Sequence, residues 1–251
     1  MEDILQYSLI IAIGIATGFL NTVAGGGSLI TLPLLIFIGL PSVNANATSR
    51  VAILVQTLFA VRGFRSKGLQ LPMPYTIYLC IASIAGGVVG ALLAIDIDDK
   101  LFNRILAAIM IMVVIIIALD RRSADIRFER LTPTAKIIGT AGFVILGFYG
   151  GFIQAGIGFL IIAVLSLVNR FSLVKANFVK VFVILVYTLV VLFVFAAAGK
   201  IEWFIGVILA IGQGIGGWYA SRWSVDKGDV WIRRILVVTV IGLAIKLWFF
   251  G

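Results

Sequence analysis

The chain alternates long apolar runs with short polar or glycine-rich breaks, and most runs approach the roughly 20 residues that a helix needs to cross a bilayer. Runs such as Ala107 to Ala118 show no apolar/polar alternation, so the period of a membrane-spanning strand is absent and the helix remains. The pattern predicts helical segments over 4–22, 28–39, 45–65, 73–95, 101–120, 136–154, 159–169, 175–198, 202–222 and 231–250. Segments 28–39 and 159–169 are too short to span easily at about 1.5 Å per residue, and are expected to be broken, tilted or re-entrant. The expected fold class is an all-α polytopic membrane protein.

Composition strengthens this reading. Hydrophobic residues make up 62% of the 251 residues and charged residues 12%, about half the charge of an ordinary soluble domain. The net charge of +9 does not indicate a nucleic-acid partner, because most basic residues lie in short loops beside apolar runs. Arg62, Arg65 and Lys67 mark one such loop, and Arg121, Arg122, Arg127, Arg130 and Lys136 a second. Arg170, Lys175 and Lys180 lie near a third, and Arg222, Lys227, Arg233 and Arg234 near a fourth. The connection carrying Asp96, Asp98 and Asp99 falls on the opposite side. The positive-inside rule then places both termini outside a cytoplasmic membrane. The first apolar stretch follows Glu2 and Asp3 rather than a basic segment, so it reads as a mature helix and not as a cleaved signal.

The segments fall into two related sets. Ile53-Leu54-Val55-Gln56-Thr57-Leu58 returns 131 residues later as Ile184-Leu185-Val186-Tyr187-Thr188-Leu189. The same offset carries Ala24-Gly25-x-Gly27 onto Ala155-Gly156-x-Gly158, Ala45-Asn46 onto Ala176-Asn177, and Gly68 onto Gly199. An offset of 130 carries Gly86-Gly87 onto Gly216-Gly217 and Arg104-Ile105-Leu106 onto Arg234-Ile235-Leu236. The expected organisation is a first repeat over 1–120, a basic cytoplasmic linker over 121–135 and a second repeat over 136–251. Each repeat has an odd number of segments, so the second runs inverted through the membrane, a signature of secondary transporters.

The polar residues suggest what such a protein handles. Every acidic residue lies in a loop or at a segment end, and the chain has no histidine. Carriers of cations usually place such groups within the membrane, so little here would hold one. Cys80 is the only cysteine, which excludes an internal disulfide and a cysteine metal site. No cofactor is implied. Basic residues, by contrast, enter the spans. Asn46, Ser49, Arg50, Ile53, Gln56 and Thr57 share one helical face, and Asn177, Lys180, Val181, Ile184, Tyr187 and Thr188 repeat it. Without an acidic neighbour in sequence, the expected counter-charge of Arg50 and Lys180 is a bound anion; for Lys180, snorkelling to headgroups is the alternative. Gly25-Gly26-Gly27-Ser28 and Gln154-Ala155-Gly156-Ile157-Gly158 interrupt the first and sixth helices. A helix restarting after such a break offers N–H groups and its positive dipole end to an anion. For Gly156 and Gly158, close packing is an equal alternative. Gly86-x-x-x-Gly90 and Gly212-x-x-x-Gly216 read as packing alone.

These residues also carry a family resemblance. Gly18-Phe19-x-Asn21-x-x-Ala24-Gly25-Gly26-Gly27-Ser28, then Pro33-Leu34-Leu35 and Ala45-x-Ala47-Thr48-Ser49, resemble the TauE/SafE sulfite exporter family, and Gly147-Phe148 through Gly158 to Ala176-Asn177 fits its two-repeat organisation. The second copy has Ile157 in place of Gly26 and Val179-Lys180 in place of Thr48-Ser49, which implies an asymmetric pocket. The resemblance implies transport of sulfite, a sulfonate or another small anion, and marks Asn21, Gly25, Gly26, Gly27, Thr48 and Ser49 as motif positions. The expected site joins charge from Arg50 and Lys180 with donors from Asn21, Ser28, Asn46, Thr48, Ser49, Gln154 and Asn177 and the N–H groups of the glycines. Alternating access, one repeat moving against the other, is the expected mechanism. An anion channel of the same architecture is the rival. A membrane enzyme has too few nucleophiles and bases to draw on.

Overall fold

A computed structural model of the protein describes residues 2–108 and 129–250. The predicted residues 109–120 of the fifth segment, most of the linker, and Arg121, Arg122 and Arg127 lie outside the described residues. The helices are α1 (Glu2–Val23), α2 (Ser28–Phe37), α3 (Ser42–Ser66), α4 (Met73–Ile95), α5 (described over 99–108), α6 (Pro133–Phe152), α7 (Ile157–Leu167), α8 (Leu173–Ala197) and α9 (Trp203–Phe250). Among the described residues there is no strand. Helices α1, α4, α6, α8 and α9 are long and apolar enough to cross a membrane.

The helix ends have local causes. Thr132 accepts the Ala135 N–H and Ser172 accepts the Lys175 N–H, so α6 and α8 start on side-chain caps. Helices α3 and α8 end at Gly68 and Gly199, both left-handed, where the N–H of Leu69 returns to Phe64 O and that of Lys200 to Phe195 O. The Gly68/Gly199 repeat is therefore one helix stop used twice. The predicted break between 222 and 231 falls at Gly228, whose φ of 71° and ψ of −173° are non-helical, so α9 is two helical stretches that meet there, with helix extending into the predicted gap from both sides.

The short segments fold back on the helices that precede them. Gln213 Nε2 reaches both Thr17 Oγ1 (3.3 Å) and Thr31 Oγ1 (3.1 Å), so α2 folds back beside α1 with those two threonines level. Gly142 similarly faces Val164 across the α6–α7 hairpin.

The repeats exchange helices. The most extensive interfaces pair α1 and α3 of the first half with α9 of the second, and α6 of the second with α4 of the first. Glycine makes these approaches possible. Gly18 lies against the Gln213 backbone and Gly216 against Ile15, while Gly86 and Gly90 lie against Val144 and Phe148, with no room for a β-carbon at any of the four. The structure thus contains two bundles, α1–α3 with α9 and α6–α8 with α4, and each draws on both sequence repeats. A repeat moving as one body against the other would have to break its largest interfaces.

Loops sort by end as their charges predict. Lys67 pairs with Asp226 (2.6 Å) and Lys175 with Glu129 (2.7 Å), which gathers four connections at one end. Asp99 accepts the Val43 N–H and Asp229 those of Leu173 and Val174, so a carboxylate from the fifth helix of each half sits at the positive start of α3 and of α8.

Candidate functional site

Both hairpin tips meet at the centre of the molecule. Gly25, left-handed at φ 89°, touches Gly158 backbone to backbone, and neither position has room for a β-carbon. The Gly156 N–H donates to Ser28 Oγ at 2.9 Å, which ties one break to the other. Here α1 and α6 stop inside the protein, and their last carbonyls have no intrahelical partner. In an apolar interior each unsatisfied carbonyl costs several kcal/mol.

Each half satisfies the carbonyls of the other. On α3, Arg50 Nη1 donates to Gly150 O (2.9 Å), Arg50 Nη2 to Gly151 O (2.7 Å) and Asn46 Nδ2 to Phe152 O (2.8 Å), closing the end of α6. On α8, Lys180 Nζ donates to Asn21 O (2.9 Å) and Thr22 O (2.8 Å), and Asn177 Nδ2 to Val23 O (2.9 Å), closing the end of α1. The asparagines are related by the offset of 131, but Lys180 aligns with Ser49 rather than with Arg50. Both cations still share a helix face with their asparagine, one turn on at i+4 and i+3, so either spacing delivers the same cap.

Both cations have 0% exposure, which rules out snorkelling for Lys180. Each lies about 10–12 Å along its helix, taking 1.5 Å per residue. Their immediate partners are helix C-termini, where sequence reasoning expected an anion. A backbone carbonyl many residues away leaves no mark in local composition.

Amides flank the crossing. Asn21 Nδ2 donates to Gln56 Oε1 (2.8 Å) and Gln56 Nε2 to Thr22 Oγ1 (2.7 Å). Gln154 Nε2 reaches Tyr187 Oη (3.2 Å) and Thr188 Oγ1 (3.1 Å), while its Oε1 accepts from Arg50 Nη1 at 3.3 Å. Tyr149 donates to Ala155 O, and the Phe195 ring lies 4.7 Å from Arg50 Cζ.

The structure therefore brings Asn21, Gly25, Ser28, Asn46, Arg50, Gln154, Gly156, Gly158, Asn177 and Lys180 together. Gly26 and Gly27 lie in the same tip, with Gly27 packed on Thr17 and Asn21. Thr48 is elsewhere, because its hydroxyl accepts the Glu202 N–H (3.0 Å) before α9. Ser49 donates back to Asn46 O of its own helix (2.8 Å). Thr22, Gln56, Tyr187, Thr188 and Phe195 join the cluster without being among the site positions expected from sequence. The polar stripe already held Gln56, Tyr187 and Thr188, whereas Thr22 and Phe195 had no distinguishing signal.

Electrostatically, the centre is positive. No Asp or Glu among the described residues is buried, while Arg50 and Lys180 are. With both side chains ionised, two helix C-termini offset about half a charge each, which leaves roughly one positive charge uncompensated. The N-termini of α2 and α7 at the same crossing add to that surplus. Arg50 Nε is buried with no hydrogen-bond partner. Lys180, by contrast, spends all three donors, the third on Asn177 Oδ1 at 2.7 Å.

Known proteins resemble this chain over most of its length. The profile of the sulfite exporter TauE/SafE family matches residues 10–247 and so takes in both hairpins. The chain is 31% identical over 237 residues to the probable membrane transporter protein ORF9 of Sinorhizobium sp, covering 92% of this chain and 87% of that one. It is 26% identical over 251 residues to the probable membrane transporter protein YfcA of Escherichia coli (strain K12), covering 98% and 91%. A probable membrane transporter protein of Haemophilus influenzae is 25% identical over 233 residues, covering 92% and 90%. No solved structure matches the chain. With a match that spans both halves, and apolar helices that cross a bilayer several times, the chain belongs to the TauE/SafE family of multi-pass membrane transporters.

Proposed function

We propose that the protein is a secondary transporter of a small anion, sulfite or an organosulfonate, and that the anion binds at the crossing of the two hairpins. One observation carries this reading: the centre buries two cations and no carboxylate, and Arg50 Nε–H is a buried donor without an acceptor. Such a donor costs on the order of 1–3 kcal/mol or more unless something accepts from it. A tetrahedral or pyramidal oxyanion offers the acceptor and cancels the surplus charge. The Gly25–Gly158 contact closes the path at this point, which favours a carrier over an open pore.

Alternating access would then proceed by displacement of the two exchanged bundles rather than of the two sequence repeats. A co-transported proton can travel as the protonated form of the substrate. The test is counterflow by the purified protein in proteoliposomes with sulfite, thiosulfate, sulfoacetate and taurine. Saturable counterflow with at least one anion, lost in Arg50→Ala, is expected. Unitary currents without counterflow would make it a channel, and normal flux in both Arg50→Ala and Lys180→Ala would remove the cationic site.

A further inference from the structure

On the outer side of α1, a turn before the crossing, the bend at Gly228 opens a groove of about 1010 Å³ between α1 and the last stretch of α9, lined by Phe19, Leu20, Trp231, Arg233, Arg234 and Val238 among others. A second groove of about 560 Å³ runs on along the α1–α9 seam past Ile15, Ile215 and Gly216, and shares Phe19 and Leu20 with the first. Together they form one trough. It has a basic mouth and an apolar floor reaching toward the middle of the membrane-crossing part of α1.

The mouth has charge to spare. Arg222, Lys227, Arg233 and Arg234 are exposed, and none of them belongs to an ion pair among the described residues. The two nearby carboxylates are occupied: Asp226 by Lys67, and Asp229 by the N–H groups of Leu173 and Val174 at 3.0 Å each. Aromatic rings surround the mouth as in an interfacial belt, with Trp223 6.3 Å from Trp231 and Phe19 5.5 Å from Trp223. The guanidinium of Arg234 lies 4.8 Å from the Trp231 ring. This is also the end that gathers the basic loops, and under the positive-inside rule it faces the cytoplasmic leaflet and its anionic lipids.

We propose that this trough is a binding site for an anionic phospholipid. The phosphate sits between Arg233 and Arg234, and one acyl chain lies over Phe19, Leu20 and Val238 toward Ile15 and Gly216. A water-soluble anion would satisfy the arginines but leave the apolar floor uncovered. A neutral phospholipid would cover the floor but bring no net charge to the mouth.

The test is native mass spectrometry and thermal unfolding of the full chain in nanodiscs of phosphatidylglycerol or of phosphatidylcholine, with inorganic phosphate as a separate arm. Phosphatidylglycerol should be retained and should raise the unfolding temperature. Its affinity should fall about fivefold for Arg233→Gln or Arg234→Gln and about 25-fold for the pair. Val238→Trp, at an exposed position on the apolar floor, should block the acyl chain and weaken retention with both arginines intact. Unfolding of the variants in phosphatidylcholine reports whether they are folded. Equal retention of both lipids, competition by inorganic phosphate alone, or full retention by Val238→Trp would each overturn the site.

Discussion

Arg50 and Lys180 do the same structural work in opposite halves, yet they end with different resources. Lys180 points three donors at three acceptors and has none left. Arg50 makes four contacts through its terminal nitrogens, stacks on Phe195 and keeps Nε–H unpartnered. The inverted repeat therefore reproduces a cap on each broken helix, but only one of the two caps has a spare donor. Under the proposed function, the difference between them places the anion on the Arg50 side and gives Lys180 a structural part.

The largest expected effect tests that asymmetry directly. Arg50→Ala uncaps Gly150 and Gly151 and should cost about 3–5 kcal/mol along with all transport, measured by denaturation in detergent and by counterflow. Arg50→Lys is the sharper variant. Three donors can still serve the carbonyls, so most stability should return, while transport stays at least tenfold down because no Nε–H exists. Recovery of full transport in Arg50→Lys would break the comparison.

Next comes Lys180. Lys180→Ala should lose about 3 kcal/mol of stability by leaving Asn21 O and Thr22 O unpaired, and Lys180→Arg should restore most of it. The protein that folds should still transport in both cases. A folded Lys180→Arg without flux would mean that Lys180 handles substrate or proton itself.

A smaller and symmetric effect is expected of the asparagines. Asn46→Ala and Asn177→Ala each free one helix-end carbonyl, and each should cost about 1–3 kcal/mol. Similar losses of melting temperature in the two variants would show that the caps are equivalent in energy though not in function. The smallest effect is expected of Phe195→Leu, which removes a cation–π contact of about 0.5–2 kcal/mol. Its readout is a rise in the KM for the anion with little change in stability, since the ring orients the guanidinium rather than closing a carbonyl.

How much of this was legible in sequence depends on whether the information is local. The span positions were readable because a bilayer-crossing helix must be apolar for about 20 residues, and α4 occupies the predicted 73–95. The breaks at Gly25 and Gly156 were readable because consecutive small residues interrupt a helix. The interruption between the last two segments was readable as well and falls at Gly228, but it is narrower than the charged stretch 223–230 suggests, because an interfacial helix carries charge on its exposed side. Thr48 and Ser49 misled differently: both lie beside Arg50 in sequence, but one caps α9 and the other bonds to its own helix.

The amino-acid sequence alone determined a membrane-embedded helical chain, two related halves, two glycine breaks and two cations on matching helix faces. Each of these follows from hydropathy, period or offset, which are properties of the chain read along its length. The tertiary structure decided that α1 packs on α9 and α6 on α4, that each cation closes a helix of the other half, and that only Arg50 keeps a free donor. Those facts rest on carbonyls and glycine contacts about 60 to 200 residues apart, and backbone groups are the same at every position until the fold chooses which of them meet.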